Sequence, residues 1–239
     1  MIRALAGLFI VLALPASAVT CEDIDYDGNS FTACTVDASA EDLRLFHSNA
    51  ADQVIGSFGD LADEHPEKTL AFAMNAGMYH ADRAPVGLYL EAGTQKSGIV
   101  TSDGPGNFGL LPNGVLCLTD SDAQVYESFD FVAKAPDCRD ANQSGPMLVI
   151  DGALHPRFLE DGSSKYVRNG VGTSADGKTA IFAISNNAVN FHSFGTFFRD
   201  YLKTPNALYF DGKVSRLYAP ELGRSDFGFQ LGPMIGVLE

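Results

Sequence analysis

Positive charge is scarce in this chain. Lys and Arg total 16 against 30 Asp and Glu, a formal net charge of −14, so nucleic acid and anionic bilayers are excluded as general partners, although one local basic pocket is not. Long apolar runs are also missing. The one near the start ends at Pro15, short of the roughly 20 apolar residues that a bilayer of about 30 Å demands, so no membrane span is expected. No CxxC or HxxxH spacing occurs, which removes the usual zinc frameworks. No Gly-x-Ser-x-Gly occurs either, which removes the nucleophile elbow of a serine hydrolase, at Ser144 as elsewhere. There is no linker or low-complexity tract. Tryptophan is absent, but 17 Phe and a hydrophobic fraction of 46% supply ample core material.

What is present begins with an export signal. Arg3, the apolar stretch from Leu5 to Leu14 and the small residues Ala16-Ser17-Ala18 make residues 1–18 a signal peptide cleaved after Ala18. Removing Arg3 leaves the remainder one unit more acidic. Thr20 disfavours a lipid anchor on Cys21, because lipoprotein signals need a very small residue there. Residues 19–239 are then expected to form one periplasmic or secreted domain. All four cysteines survive cleavage, and in an oxidising compartment an even count points to two disulfides. Of three pairings, Cys21–Cys34 and Cys117–Cys138 are favoured, because each pair brackets a short strand-turn-strand segment and closes locally.

The patterning predicts an α+β fold: a strand-rich mixed sheet with two main helices. Strands are expected at 31–36 and 43–47 as an opening pair, then at 70–74 and 86–91. A hairpin is expected from 108–111 through Pro112-Asn113-Gly114 to 115–118. One or two further strands are expected over 125–133. A tight hairpin at 147–154 turns on Asp151-Gly152, and strands follow at 179–185, 207–210, 214–218 and 231–238. Ser57 N-caps a short helix to Glu64. Phe191, Phe194, Phe198, Tyr201 and Leu202 share one face of the longest helix, which Pro205 ends.

Four polar clusters stand at strand ends, where a scaffold can aim side chains into a cleft. They are Asn75-Ala76-Gly77-Met78-Tyr79, Ser144-Gly145-Pro146-Met147, Arg168-Asn169-Gly170-Val171-Gly172 and Asp211-Gly212-Lys213-Val214-Ser215. Taken singly, each is more often a turn than a site. Arg168 is the exception, because a charge entering the apolar Tyr166–Val171 run needs an anionic partner if it is buried. His192, beside the Phe191/Phe194 face, reads as structural more readily than as an acid–base group.

Taken in order, Asn-x-Gly-aromatic, Ser-Gly-Pro, Arg-Asn-Gly-x-Gly, a helix and Asn206-Ala207-Leu208-x-x-Asp211-Gly212 resemble the phosphodiester glycosidase family. The resemblance runs from about Thr69 to the C-terminus and is nearest to a bacterial exported branch, with Asn107-Phe108 and Gln143-Ser144-Gly145-Pro146 among the shared residues. The family usually has a Gly-rich, Ser-containing run after Asp-Gly; here it is Lys213-Val214-Ser215, a departure that points to a different substrate from that of the family's namesake.

The resemblance implies an exported glycosidase acting on a sugar 1-phosphodiester. Arg168 would grip the phosphate as a bidentate fork, and Asp211 would face the oxocarbenium-like carbon. Asn75, Gly77, Asn107, Ser144, Gly145, Asn169, Asn190, Gly212 and Ser215 are the expected substrate-binding residues. No cofactor is expected; the alternative is a calcium or magnesium ion held by Asp82, Asp211 and nearby Asn side chains, for which no loop of recognised spacing is present. The rival from another class is a non-catalytic envelope module binding a polysaccharide or a lipid-linked sugar. A nuclease-like phosphodiesterase is disfavoured by the acidic balance. The sequence assigns no oligomeric state.

Overall fold

The computed structural model describes residues 19–239; the expected signal peptide lies outside the described residues. Strands are gathered into three sheets in which every ladder is antiparallel. The first runs β1 (Val19–Tyr26), β2 (Asn29–Asp37), β13 (Thr179–Ser185), β12 (Asn169–Thr173), β14 (Asn206–Asp211), β10 (Met147–Ile150) and β11 (Ala153–Leu154). The second runs β16 (Arg224–Ser225), β15 (Leu217–Ala219), β4 (Leu70–Asn75), β17 (Met234–Leu238) and β3 (Leu43–Phe46). The third runs β6 (Thr94–Ser97), β5 (Tyr89–Glu91), β9 (Asp140–Ser144), β7 (Gly114–Leu118) and β8 (Ala123–Glu127). The expected mixed sheet is therefore corrected to antiparallel sheets.

One apolar cluster draws on all three sheets, joining Val36, Phe182 and Phe210 to Phe72 and Ile235 and to Tyr89 and Leu116. Phe72 and Phe182 meet across it with ring centroids 4.9 Å apart. Both expected disulfides are formed, Cys21–Cys34 across the β1–β2 pair and Cys117–Cys138 beside β7.

Several local expectations hold. Ser57 caps α1 (Phe58–Glu64), its side chain accepting from the Asp60 N–H. Asp151 and Gly152, at φ of 47° and 81°, make the left-handed two-residue turn between β10 and β11. Others are corrected. Segments 31–36 and 43–47 do not pair: β2 lies between β1 and β13, and β3 pairs with β17. Residues 108–111 make no hairpin with β7, because Asn113 does not serve as the turn. Its Nδ2 donates to the Phe108 carbonyl and its Oδ1 accepts from Ser128 Oγ. Residues 128–133 of the stretch expected as strand over 125–133 belong instead to a third helix, α2 (Ser128–Lys134), because the Glu127 carboxylate accepts from the N–H groups of Phe129 and Asp130 and starts a helical turn.

The aromatic helix α3 (Phe191–Thr196) continues through a π-helical turn over Phe197–Tyr201. That wider turn brings Phe197 inward as well as Phe198, and it leaves Tyr201 46% exposed.

The β12–β14 ladder sets the geometry around Asp211. Asn169 faces Asp211 but Gly170 faces Tyr209, so Phe210 is the extra residue of a β-bulge. A Cβ on Gly170 would lie 2.4 Å from the Leu208 carbonyl oxygen, so glycine is what lets the two strands close. Gly170→Ala is therefore expected to lower the unfolding free energy by about 1–3 kcal/mol, the usual range for overpacking, read as a lower urea midpoint.

Candidate functional site

Two expected clusters are sewn together by a pair of buried asparagines. Asn169 Nδ2 donates to the Asn75 carbonyl at 2.9 Å and to Asn75 Oδ1 at 3.0 Å. Asn169 Oδ1 accepts from the Asp211 N–H at 3.1 Å. Asn75 Oδ1 accepts from the Arg216 N–H at 2.8 Å, and its Nδ2 donates to the Val214 carbonyl at 2.6 Å. Both side chains are fully buried. The end of β4, the start of β12 and the segment after β14 thus share one hydrogen-bond network, and Arg168 directly precedes Asn169, the residue that faces Asp211 across the β12–β14 ladder.

Arg168 has no solvent exposure. Its Nε donates to the Val189 carbonyl and its Nη2 to the Ser164 carbonyl, both at 2.9 Å. Nη1 is buried without a hydrogen-bond partner. Among the described residues no carboxylate lies within ion-pair distance of it. Support comes instead from aromatic faces, with the guanidinium carbon 3.6 Å from the Phe191 ring centre, 5.3 Å from Tyr209 and 5.6 Å from Tyr166. Phe191 stacks in turn on Phe158 at 5.0 Å, and Phe158 on the buried His155 at 4.7 Å. Burial lowers the Arg168 pKa from the ordinary arginine value, with Tyr209 opposing the shift. A buried cation with one idle donor and no acid nearby is electrostatically suited to an anion.

Asp211 is the carboxylate of this locality. Its Oδ1 accepts from the N–H groups of Gly212 at 2.6 Å and Lys213 at 2.8 Å, which curls the chain back and delays β15 to Leu217, beyond the expected 214. Burial raises its pKa above the ordinary carboxylate value, and those backbone donors only partly offset the rise. Tyr209 interacts with both charges. Its pKa feels both Arg168 and Asp211, and its Oη is buried without an aligned hydrogen bond.

The remaining expected residues divide by what their polar atoms already do. Ser215 Oγ lies 2.9 Å from the Asp211 carbonyl and 3.1 Å from that of Val167, beside the network. Asn107 is exposed and reaches Tyr209. Gly212 lies under the same phenol, since a Cβ there would be 2.2 Å from Tyr209 Oη. Ser144 Oγ donates to the Phe210 carbonyl at 3.0 Å, inside the bulge. Gly77 leaves room for Asn142, and Gly145 lies against Asn113. Asn190 N-caps α3 through the Ser193 N–H and donates to the carbonyls of Glu160 and Gly162, so its amide is engaged.

Among the described residues no three His, Cys, Asp or Glu side chains cluster as metal ligands. Asp82 accepts from the Ala84 N–H in its own turn.

Tyr209, His155 and Arg216 were not singled out from sequence. Tyr209 had a legible signal, since it stands two residues before Asp211 on an expected strand; the other two had none. A surface depression of about 640 Å³ lies elsewhere, lined by Tyr26, Asp27, Glu160, His192, Ser193, Thr196 and Asp200. Its acidic wall repels an anion, so electrostatics favours the Arg168 locality over this hollow.

The raised pKa of Asp211 fixes the sign of a stability test. The folded state holds that proton more tightly than the unfolded chain does, so stability is lost as pH rises from the ordinary carboxylate range through the folded pKa, and it stays lost above. Asp211→Asn is expected to melt no lower than the parent at pH 7, with any gain vanishing near pH 3, as read by thermal unfolding at both pH values.

The chain matches the phosphodiester glycosidase family over residues 68–227. It is 33% identical over 218 residues to an Escherichia coli (strain K12) protein described as uncharacterized protein YigE, covering 90% of this chain and 85% of that relative. A solved Synechocystis structure, described as a hypothetical protein, superposes with a TM-score of 0.62 at 14% identity over 92% of this chain; the chain spans 62% of that longer protein. The zebrafish N-acetylglucosamine-1-phosphodiester alpha-N-acetylglucosaminidase catalytic domain, auto-inhibited by its pro-peptide, superposes with a TM-score of 0.63 at 13% identity, over 92% of this chain and 82% of that one. At such identities the two structures speak for the fold alone. The extent of the family match and the identity to the E. coli relative together establish that this chain belongs to the phosphodiester glycosidase family.

Proposed function

We propose that the protein is an exported glycosidase that cleaves a glycosyl phosphodiester in the cell envelope. The observation that carries this reading is Arg168, a fully buried guanidinium with no acidic partner and one idle nitrogen, one residue along the chain from the ladder partner of a half-buried carboxylate, Asp211. A sugar 1-phosphodiester has the matching form, an anion directly beside the anomeric carbon. Arg168 holds the phosphate, and Asp211 faces the positive charge that develops on the sugar. The departing phosphate is already a good leaving group, so a second carboxyl acting as acid contributes little. Asn75 and Asn169 are occupied with each other and with backbone, which makes them positioning residues for Asp211; Asn107 is the better placed of the expected amides to meet a ligand. Two disulfides suit an oxidising compartment, in keeping with a periplasmic or secreted location.

The test uses purified protein and a panel of sugar 1-phosphodiesters, beginning with N-acetylglucosamine because the zebrafish relative's name specifies it. Sugar release is expected to fall about 10²–10⁴-fold in Asp211→Asn, the range for a positioned catalytic carboxyl. Arg168→Lys should fall about 10²-fold, because an ammonium cannot keep the Val189 and Ser164 carbonyl bonds and also present a donor where Nη1 stands. The acid limb of kcat/KM should lie above the ordinary carboxylate range, since Asp211 must be ionised and burial raises its pKa, and Asp211→Asn should abolish that limb. Binding without release, or undiminished release by Asp211→Asn, would overturn the reading; the first result would instead favour a glycan-binding module.

A further inference from the structure

Three polar groups meet at the Arg168 locality, and none of them is an anion. Arg168 Nη1 and Tyr209 Oη are both buried and both lack an aligned partner. The Asn107 side chain interacts with the phenol in the sense that favours negative charge there, as a donating amide does. The guanidinium lies within reach of the phenol oxygen, but the phenol's own proton finds no acceptor. Leaving a buried hydroxyl in that condition is costly, and a ligand oxygen would supply the acceptor.

The surroundings hold the hydroxyl in place. The Tyr209 ring packs edge-on against Phe191 at 4.8 Å, the same ring that carries the Arg168 guanidinium. The bulge at Phe210 sets its position along β14. Gly212 leaves the space at the oxygen open, because any Cβ there would be 2.2 Å from Oη. Burial pushes the phenol well above its ordinary value, so it stays protonated and acts as a donor throughout the working pH range.

We infer that the Tyr209 hydroxyl and Arg168 Nη1 form one two-donor nook for an anionic substrate oxygen, which makes Tyr209 a substrate-contacting residue of this site. The inference rests on the proposed phosphodiester chemistry for the identity of the anion, a phosphoryl oxygen. Asn107, itself exposed, marks the side from which the ligand reaches the nook. The role is a neutral hydrogen bond to a charged oxygen, with no proton transferred.

Tyr209→Phe keeps the ring, its packing on Phe191 and the bulge, and removes only the oxygen. It is expected to melt within a few degrees of the parent and to lose about tenfold to hundredfold in kcat/KM on the phosphodiester that the parent cleaves, the cost of one hydrogen bond to a charged group. The parent's affinity for inorganic phosphate, measured by calorimetry, should weaken by a similar factor. Parent-like kcat/KM in Tyr209→Phe would sink the Tyr209 assignment while leaving the glycosidase reading intact. If the parent cleaves no phosphodiester, the glycosidase reading fails and phosphate binding alone decides: weaker binding by Tyr209→Phe upholds the nook, and equal or absent binding in both proteins removes it.

Discussion

The carboxamide of Asn169 is the contact on which the rest of the site depends. It stands at the start of β12 in the first sheet, grips Asn75 at the end of β4 in the second, and receives the Asp211 N–H from β14. Inside a protein each of these bonds is strong and each missing partner is costly. One fully satisfied amide pair therefore fixes where two sheets meet, and with them the direction in which the Asp211 loop leaves the core. The close approach of β12 and β14 at Gly170 then brings Arg168, Tyr209 and Asp211 into one neighbourhood.

That neighbourhood is electrostatically unfavourable by itself. Arg168 is buried with aromatic rings and two carbonyls in place of a counter-ion, and Asp211 is buried enough to resist ionising. Such groups weaken a fold that holds no ligand and become useful when a ligand of opposite charge arrives. The surrounding structure can carry the load. The apolar cluster shared by the three sheets and the two disulfides are independent of the charged groups, and the aromatic column from His155 ends at Phe191, the ring on which the guanidinium rests. The acidic hollow beside α3 illustrates the converse: ample room without a complementary charge recommends no anionic ligand.

Much of the local structure could be read from residue order. The Ser57 cap, the Asp151-Gly152 turn and both disulfides follow from chemistry that acts over a few residues or a short closed loop. The misreadings came where a side chain bonded outside its own segment. Asn113 has the look of a hairpin turn, yet its amide is spent on Phe108 and Ser128. The stretch after Val125 looks like strand, but the Glu127 carboxylate caps a helix instead. The helix face at Phe191 omits Phe197, because a wider turn breaks the 3.6-residue period.

For the site, the sequence by itself determined the chemical inventory: an arginine in an apolar strand, asparagines and an Asp-Gly at strand ends, and an order of motifs that identifies the family. It could not determine which of those groups are occupied. Asn75 and Asn190 look equally free in the sequence, whereas in the folded chain both are engaged, one with Asn169 and the other with the N-terminus of α3. Tyr209 looks like core, whereas its hydroxyl stands beside an idle arginine nitrogen. Only tertiary structure decides such matters, because whether a buried polar atom is satisfied depends on partners 21 to 141 positions away, and no local pattern encodes them.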